Sequence, residues 1–478
     1  MVAEDRENRS RKDASRQLKD DEVNALLEKR IEILEEAHSF KREYEEKLYP
    51  IEELSTERPF VYISIGGGEL GDLVLTAARR ILGGRSGGIL TVAIDRYEGF
   101  PAQDVADYHE VVDMLNGEAL ERCIRKYVPD PKSTPHAIYL EIERVDTVRI
   151  FKLGVEKGYN VVSTPYAPLI GMDRHCTKLL FKKVRVPAVE WEYAGSEEEL
   201  KRVAKDLGLP LIIKPIMTSS GHGTTIAKSW SDVERAYKYA VEHARGKGDE
   251  VIVERYLSDL KKRGVEITQL VLRHFNEEGK IVTTLLPPIE HQRPGATYHE
   301  SWLPYTIPED VKLKCQEYAK RIAEYVGGLG IYAVEQFVID DEVYNSEFAN
   351  RPHDTGMVTR WALRMDEGAL HLLASMGLPV SEADIEFTVG ESYCVAHVIL
   401  APEDVGESTP VLKWRAGAIR SYIERKGYKG DIWYFGKPTA YPSRRMGLAI
   451  AFHEDLDKAR NIAEDIAHYA EKCIVYGR

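Results

Sequence analysis

The alternation of apolar and polar residues changes character along the chain. From Asp20 to Leu48, apolar positions recur every three or four residues (Leu27, Ile31, Leu34, Ala37, Tyr44, Leu48), with Glu and Lys between them. That period predicts an amphipathic helix, docked on its own protein or on a second subunit. Pro50 and Pro59 close the segment. From Phe60 the pattern becomes short apolar runs: FVYISI, ILTVAID (Ile89–Asp95), HAIYLEIE (His136–Glu143) and NVVSTP (Asn160–Pro165). These suit buried parallel strands. Helical stretches between them, starting with Asp72–Leu82, predict a doubly wound α/β domain.

From about Gly171 to Pro379 the features differ. LPLIIKP and EVIVERYL read as strands. VEITQLVLRHFNEEGKIVTTLLPP reads as a hairpin turning near Glu278-Gly279, and IYAVEQFVIDDEVYNSEF as a second, turning at Asp340-Asp341. This is α+β with antiparallel sheet. Beyond Val380 the chain mixes short strands with a final helix, Asp455–Ala470. The expected division is a helical extension over 1–55, an α/β domain over 56–170, an α+β domain over 171–385 and a small C-terminal domain over 386–478.

Length and charge narrow the function classes. A chain of 478 residues calls for several cores. A net charge of −13 speaks against a broad nucleic-acid surface, which needs clustered Lys and Arg. No apolar run approaches the roughly 20 residues of a membrane span, and MVAEDRENRSRKD has no signal-peptide core. Cytoplasmic residence is the expectation. The five cysteines lack CxxC spacing, so buried thiols are expected and not zinc or disulfides.

Several motifs carry candidate chemistry. Gly66-x-Gly68-x-x-Gly71 lies between a strand and a helix, with Asp95 closing the next strand. The form fits a dinucleotide fingerprint, or more generally an anion held at a helix N-terminus. Glu69 inside the loop repels a pyrophosphate and suits a ligand with an amine or hydroxyl near its phosphate. Ser219-Ser220-Gly221-His222-Gly223-Thr224 follows Lys214-Pro215; a loop of this kind can fold over polyphosphate, with Lys214 as a point charge. Glu335 and Glu347 lie on the two arms of the second hairpin, where antiparallel pairing sets them side by side. Two carboxylates in an apolar sheet repel unless a cation joins them, and Mg²⁺ favours one or two carboxylates plus phosphate oxygens. Arg351 and Asp354 follow in a polar loop, NRPHDTG, and Lys437, Arg444 and Arg445 flank FGKPTAYPSRR, either as a solvated charge cluster or as a pocket for a phosphate dianion.

The ordered set GGGELG, KPIMTSSGHGTT, VIVE, AVEQFV, SEFANRPHDTGMVT and FGKPxxxxSRR resembles the formate-dependent phosphoribosylglycinamide formyltransferases, ATP-grasp enzymes of purine synthesis. The resemblance spans roughly residues 58–470. It implies an ATP-grasp fold between a doubly wound N-terminal domain and a small C-terminal one, magnesium, and a homodimer. It places Glu69, Leu70, Glu141, Asp354, Lys437, Arg444 and Arg445 on the ribonucleotide. Arg174, Lys214, Ser219, Ser220, Gly221, His222, Gly223, Thr224, Glu254, Arg255, Tyr256, Leu257 and Glu266 surround ATP, and Glu335 and Glu347 hold magnesium. Arg351 is expected to stabilise an acyl phosphate, and Asp354 to orient the attacking amine or accept its proton. The chain departs from the family pattern in EFANRPHD, usually EVSPRPHD, and at His222, usually Lys. Alternative readings are bicarbonate activation for carboxylation of aminoimidazole ribonucleotide, a nucleotide-binding regulatory module, and a nicotinamide oxidoreductase.

Overall fold

The computed structural model describes residues 29–142, 145–217, 223–244, 249–293 and 298–477. Residues 29–45 form helix α1. Its Leu34 and Ala37 bury against Tyr166, Phe181 and Tyr332, so the amphipathic face docks on its own chain. The expected helix start at Asp20, and Leu27, lie outside the described residues.

Five parallel strands follow: β1 (Phe60–Ile65), β2 (Ile89–Asp95), β3 (Tyr108–Val111), β4 (His136–Leu140) and β5 (Val161–Val162), in the order β3-β2-β1-β4-β5. The expected strand over Asn160–Pro165 shrinks to two residues. Pro165 lacks the N–H that a longer ladder needs, and a helix starts at Ala167. Helix α2 (Glu69–Leu82) opens directly after the glycine loop, three residues earlier than its apolar period announced. Acidic Glu69 and Asp72 sit in its first turn, Arg79 and Arg80 in its last, and Gly83 closes it at φ 74°.

Helix α3 (Arg174–Lys183), capped by Asp173, leads into a small antiparallel sheet of β6 (Trp191–Ala194), β7 (Leu211–Pro215), β8 (Thr225–Ala227) and β9 (Val251–Arg255). Its order is β6-β9-β7-β8. Trp191 pairs with Glu254, so the chain enters and leaves this sheet at one end.

The largest sheet is antiparallel. It holds β10 (Gly264–Phe275), β11 (Ile281–Leu285), β12 (Ile289–Gln292), β13 (Glu300–Leu303), β14 (Gly330–Ile339), β15 (Glu342–Ala349) and β16 (Tyr393–Leu400). After β17 (Thr409–Trp414), β18 (Gly430–Tyr434) and β20 (Arg445–His453) complete it, while β19 (Thr439–Ala440) and β21 (Ile474–Tyr476) pair with β17. Both sequence-read hairpins form. Asp340 and Asp341 take φ 50° and 64°, the paired positive values of a tight hairpin turn. Because β13 pairs with β16 and β16 with β20, the segment after 386 extends this sheet, and it adds only the small sheet β19-β17-β21 of its own. Helix α4 (Glu309–Val326) packs on β10 and β14. Helix α5 (Glu367–Met376) is buried along its whole length between the N-terminal layer and the large sheet. Helix α6 (Leu456–Glu471) covers β16 and β20. The cysteines are free and buried. Among the described residues no helix is long and apolar enough to cross a membrane.

Candidate active site

In the N-terminal sheet the strand order reverses between β1 and β4, so the loops after these strands flank a crevice. The glycine loop points its donors inward. Gly67 N–H donates to Asp95 Oδ2 at 2.9 Å, and Gly68 N–H to Glu141 Oε2 at 3.4 Å. A pyrophosphate would have to displace two carboxylates and lie beside Glu69. The dinucleotide reading fails here, as does a phosphate resting on these N–H groups. Burial pushes Glu141 up, Glu69 and Asp95 add to it, and its carboxyl rises to about 8. Burial also raises Glu69, but Lys437 Nζ at 2.9 Å and Arg445 Nη2 at 3.2 Å outweigh it, holding that carboxyl at about 2. Arg444 donates to Thr439 O at 2.7 Å and to Tyr97 Oη at 3.3 Å.

The opposite end is built on β7, β9 and α3. Lys214 Nζ lies 2.8 Å from Glu254 Oε2, and Lys178 Nζ 2.7 Å from Glu254 Oε1. Burial raises Glu254, yet the two lysines hold it at about 2. Glu254 is 1% exposed, lies behind the cavity wall and has each of its oxygens paired with a lysine. Arg255 departs from expectation. As the next residue along β9 it faces the other side of the sheet, pairs with Glu190 at 2.6 Å and points into solvent. Arg174 donates to Pro215 O at 2.8 Å and reaches Glu347 Oε1 at 3.3 Å. Thr224, Tyr256, Leu257 and Glu266 line the cavity. Gly223 is placed with φ +74° beside Pro215, and Ser219, Ser220, Gly221 and His222 lie outside the described residues.

Between the two ends, Glu335 and Glu347 stand opposite each other in register on β14 and β15, beside a bulge at Glu335/Gln336. Burial raises Glu335, and Arg293 and His353 together drive its carboxyl far below the ordinary range. His353 Nε2 lies 2.9 Å from Glu335 Oε1, and its Nδ1 lies 3.0 Å from Asp354 Oδ1. Asp354 in turn pairs with Arg445. His353, Arg445 and Arg293 overcome the burial of Asp354 and hold it well below the carboxylate range. A carboxylate held ionised that firmly is a weak base, so the geometry suits orienting a ligand and not accepting its proton. Beneath the loop, His353 N–H donates to Glu367 Oε2 at 2.9 Å. Burial pushes the Glu367 carboxyl well above its usual value.

The charged groups named here, apart from Glu254, Glu367 and the Arg255–Glu190 pair, line one cavity of about 820 Å³, which also takes in Leu70, Arg351, Lys437 and Arg444. Lys178, Arg293 and His353 are the lining members that sequence reasoning missed, as it missed Glu367 beneath them. His353 lay inside the quoted loop, and the spacing of Arg174 and Lys178 by one helical turn was the available sign for Lys178.

The model of the ATP-grasp domain matches residues 179–367, and that described as PurT, C-terminal, matches 425–469. The formate-dependent phosphoribosylglycinamide formyltransferase of Sulfurisphaera tokodaii is 39% identical over 84% of this chain and 94% of its own length. That of Methanococcus maripaludis strain C7 is 41% identical over 84% and 95%. The chain belongs to the formate-dependent phosphoribosylglycinamide formyltransferase family. Solved structures agree on the fold of this formyltransferase family. A purK N5-carboxyaminoimidazole ribonucleotide synthetase in its ADP complex superimposes with TM-score 0.70 at 22% identity, over 88% of this chain and 100% of that one. Glycinamide transformylase T from Mycobacterium tuberculosis gives 0.65 at 22%, over 86% and 99%.

The donor set also fits the divalent cation that such formyltransferases imply. Among the described residues no group of three or more His, Cys, Asp or Glu is placed to hold a metal by itself. Two opposed carboxylates on a cavity wall match Mg²⁺, which takes one or two carboxylates and completes its shell with phosphate and water.

Proposed function

We propose that the chain converts formate, ATP and 5-phosphoribosylglycinamide to formylglycinamide ribonucleotide, ADP and phosphate. The observation that carries this reading is the continuity of the cleft. The in-register pair Glu335 and Glu347 is linked through His353, Asp354 and Arg445 to Glu69, so a nucleotide end and a ribonucleotide end meet at one reacting centre.

In this reading a formate oxygen attacks the γ-phosphorus of ATP, ADP leaves, and formyl phosphate results. The substrate amine then attacks the formyl carbon, phosphate departs, and the nitrogen releases a proton. Lys214 and Arg174 face the polyphosphate, and Arg351 meets the acyl phosphate and its tetrahedral adduct. Asp354 and Glu69, held ionised, orient the amine. Glu141, raised to about 8, carries its own proton at neutral pH and takes up the one released by the amine only through its ionised fraction, which grows as pH rises toward 8. Magnesium bound by Glu335 and Glu347 would offset charge on the nucleotide phosphates. The domain limits at 55, 170 and 385, cytoplasmic residence and a homodimer belong to the same proposal; sedimentation velocity tests the dimer.

Bicarbonate activation with aminoimidazole ribonucleotide is the rival, because its enzymes share this fold. The deciding experiment measures ADP release with formate or bicarbonate against each ribonucleotide, and follows labelled formate into product. Turnover requiring bicarbonate and aminoimidazole ribonucleotide would replace this reading with carboxylation. Tight ATP binding without ADP release under any pairing would leave a regulatory module.

A further inference from the structure

We infer that Arg30 of helix α1 is a positioning residue for the nucleotide end: it clamps the small β6–β9 sheet to the body of the protein. The inference rests on the reading of that end as the ATP site.

The guanidinium is 7% exposed by residue and has three polar partners from two parts of the fold. Nε donates to Asp173 Oδ2 at 2.8 Å. Nη1 and Nη2 meet the two oxygens of Glu250, each at 3.2 Å, and Nη1 lies 3.2 Å from His175 Nδ1. The group also lies over the Tyr193 ring, 5.7 Å from its centre. Glu250 immediately precedes β9, and Tyr193 lies on β6, so these partners belong to the small sheet. Tyr193 Oη donates to Glu250 Oε1 at 2.6 Å, and its ring stacks on His175 at 4.6 Å. Asp173 and His175 belong to α3 and its cap.

This placement has a mechanical consequence. The chain crosses into the small sheet before Trp191 and out of it after Arg255, and those two points lie side by side. A sheet held by two adjacent crossings can rotate about them. Such paired crossings are where hinges form, since a few terminal residues absorb the change. The fork of Arg30 grips the sheet through Glu250, at the end of β9 away from those crossings, and the body through Asp173, so it opposes such a rotation with a lever arm. Its planar geometry fits two carboxylates in fixed directions, which a Lys does not reproduce. Both ends of the clamp adjoin groups that line the cavity. Asp173 accepts Cys176 N–H at 2.8 Å and thereby starts the helix on Arg174. The sheet carries Lys214, Thr224 and Thr225. Arg30 itself lies outside both family-model matches and does not line the cavity.

The test compares the full-length protein with Arg30→Ala, Arg30→Lys and Glu250→Gln. The last removes one charge from the sheet side, nearly isosterically, and leaves the pairing of Arg30 with Asp173. Amide hydrogen exchange in the ligand-free proteins is expected to quicken across Trp191–Ala194 and Val251–Arg255 in Arg30→Ala and Glu250→Gln. KM for ATP is expected to rise on the order of tenfold, a usual size for coupling between distinct sites. KM for the ribonucleotide should hold, and Arg30→Lys should recover part of the loss. Unchanged exchange in the ligand-free Glu250→Gln protein overturns the clamp, whatever the substrates prove to be. Faster exchange with unchanged KM for ATP overturns the positioning role. An equal rise in both Michaelis constants with a fall in Tm reduces Arg30 to a fold anchor and overturns it as well.

Discussion

Glu335 and Glu347 face each other across the β14–β15 ladder, yet their surroundings differ sharply. The Glu335 side chain is 10% exposed and tied to Arg293 and His353; that of Glu347 is 38% exposed and lies 3.3 Å from Arg174. Replacing each by Ala should therefore give different phenotypes. Glu347→Ala should keep the wild-type Tm and lose turnover on the order of a thousandfold, because a metal contributes several kcal/mol to the transition state and each 1.36 kcal/mol is tenfold. Glu335→Ala should lose turnover and about 3–5 kcal/mol of stability, since Arg293 would be left buried without its carboxylate. ADP release and thermal unfolding check both. Near-normal ADP production by Glu347→Ala would remove the assigned metal site.

The crevice carboxyl of Glu141 makes a second, pH-dependent prediction. Its folded value of about 8 lies above the ordinary 4.5, so the native state binds the extra proton between these limits. Stability carried by this group is therefore complete below about pH 4.5 and declines as pH rises toward 8. Glu141→Gln removes the titration. Its Tm should match wild type near pH 5 and exceed it at pH 8. Parallel Tm–pH curves for the two proteins would show that Glu141 does not titrate in this window.

The parts of the site legible in the sequence are those fixed by local rules. Period-two alternation and a two-aspartate turn set the register that opposes Glu335 to Glu347. A glycine loop between apolar strand and helix located Glu69. What stayed hidden depends on chain segments far apart. Lys178 and Lys214 share Glu254, and Asp95 and Glu141 fold back on the glycine loop; no spacing rule announces such pairings. Arg255 was misplaced because one position along a strand turns a side chain to the other face. Asp354 was read as a possible proton acceptor because its neighbours Arg445 and Arg293 come from distant strands and loops. The continuation of the large sheet past residue 386 escaped for the same reason: β13 and β16 meet only in three dimensions.

Gly223 gives a third prediction, at the edge of the loop that follows Lys214. Its φ is +74°, and a Cβ there would approach Pro215 Cγ to 2.7 Å. Gly223→Ala should impose roughly 1–2 kcal/mol of local strain and slow ATP-dependent turnover about tenfold. Ribonucleotide binding should not change, because the crevice of Glu69 and Glu141 is built from other segments. Wild-type kinetics in this variant would separate the loop from the nucleotide.

The two neighbouring arginines at the ribonucleotide end divide their labour, and this supplies the last prediction. Arg445 is committed: it pairs with Glu69 at 3.2 Å and with Asp354, so it organises carboxylates inside the protein. Lys437 is likewise held by Glu69 at 2.9 Å. Arg444 instead donates to neutral oxygens of Thr439 and Tyr97, and its guanidinium lies 5.2 Å from the Tyr441 ring centre. It lines the cavity beside Ser443 and Tyr441 and can turn a charge-bearing edge to a phosphate dianion. A charge-assisted hydrogen bond contributes about 1.5–3 kcal/mol, so Arg444→Ala should raise KM for the ribonucleotide roughly tenfold to a hundredfold. Tm should barely move, as no carboxylate among its described hydrogen-bond partners loses a mate. Arg445→Ala should raise the same KM but also lower Tm, because Glu69 and Asp354 would then repel each other across the crevice. Neither change should alter ATP affinity, since Lys214 and Arg174 stand at the far end. Separate calorimetric titrations with ATP and the ribonucleotide decide the matter. Weakened ATP binding with unchanged ribonucleotide binding in Arg444→Ala would reverse the two ends of the cleft.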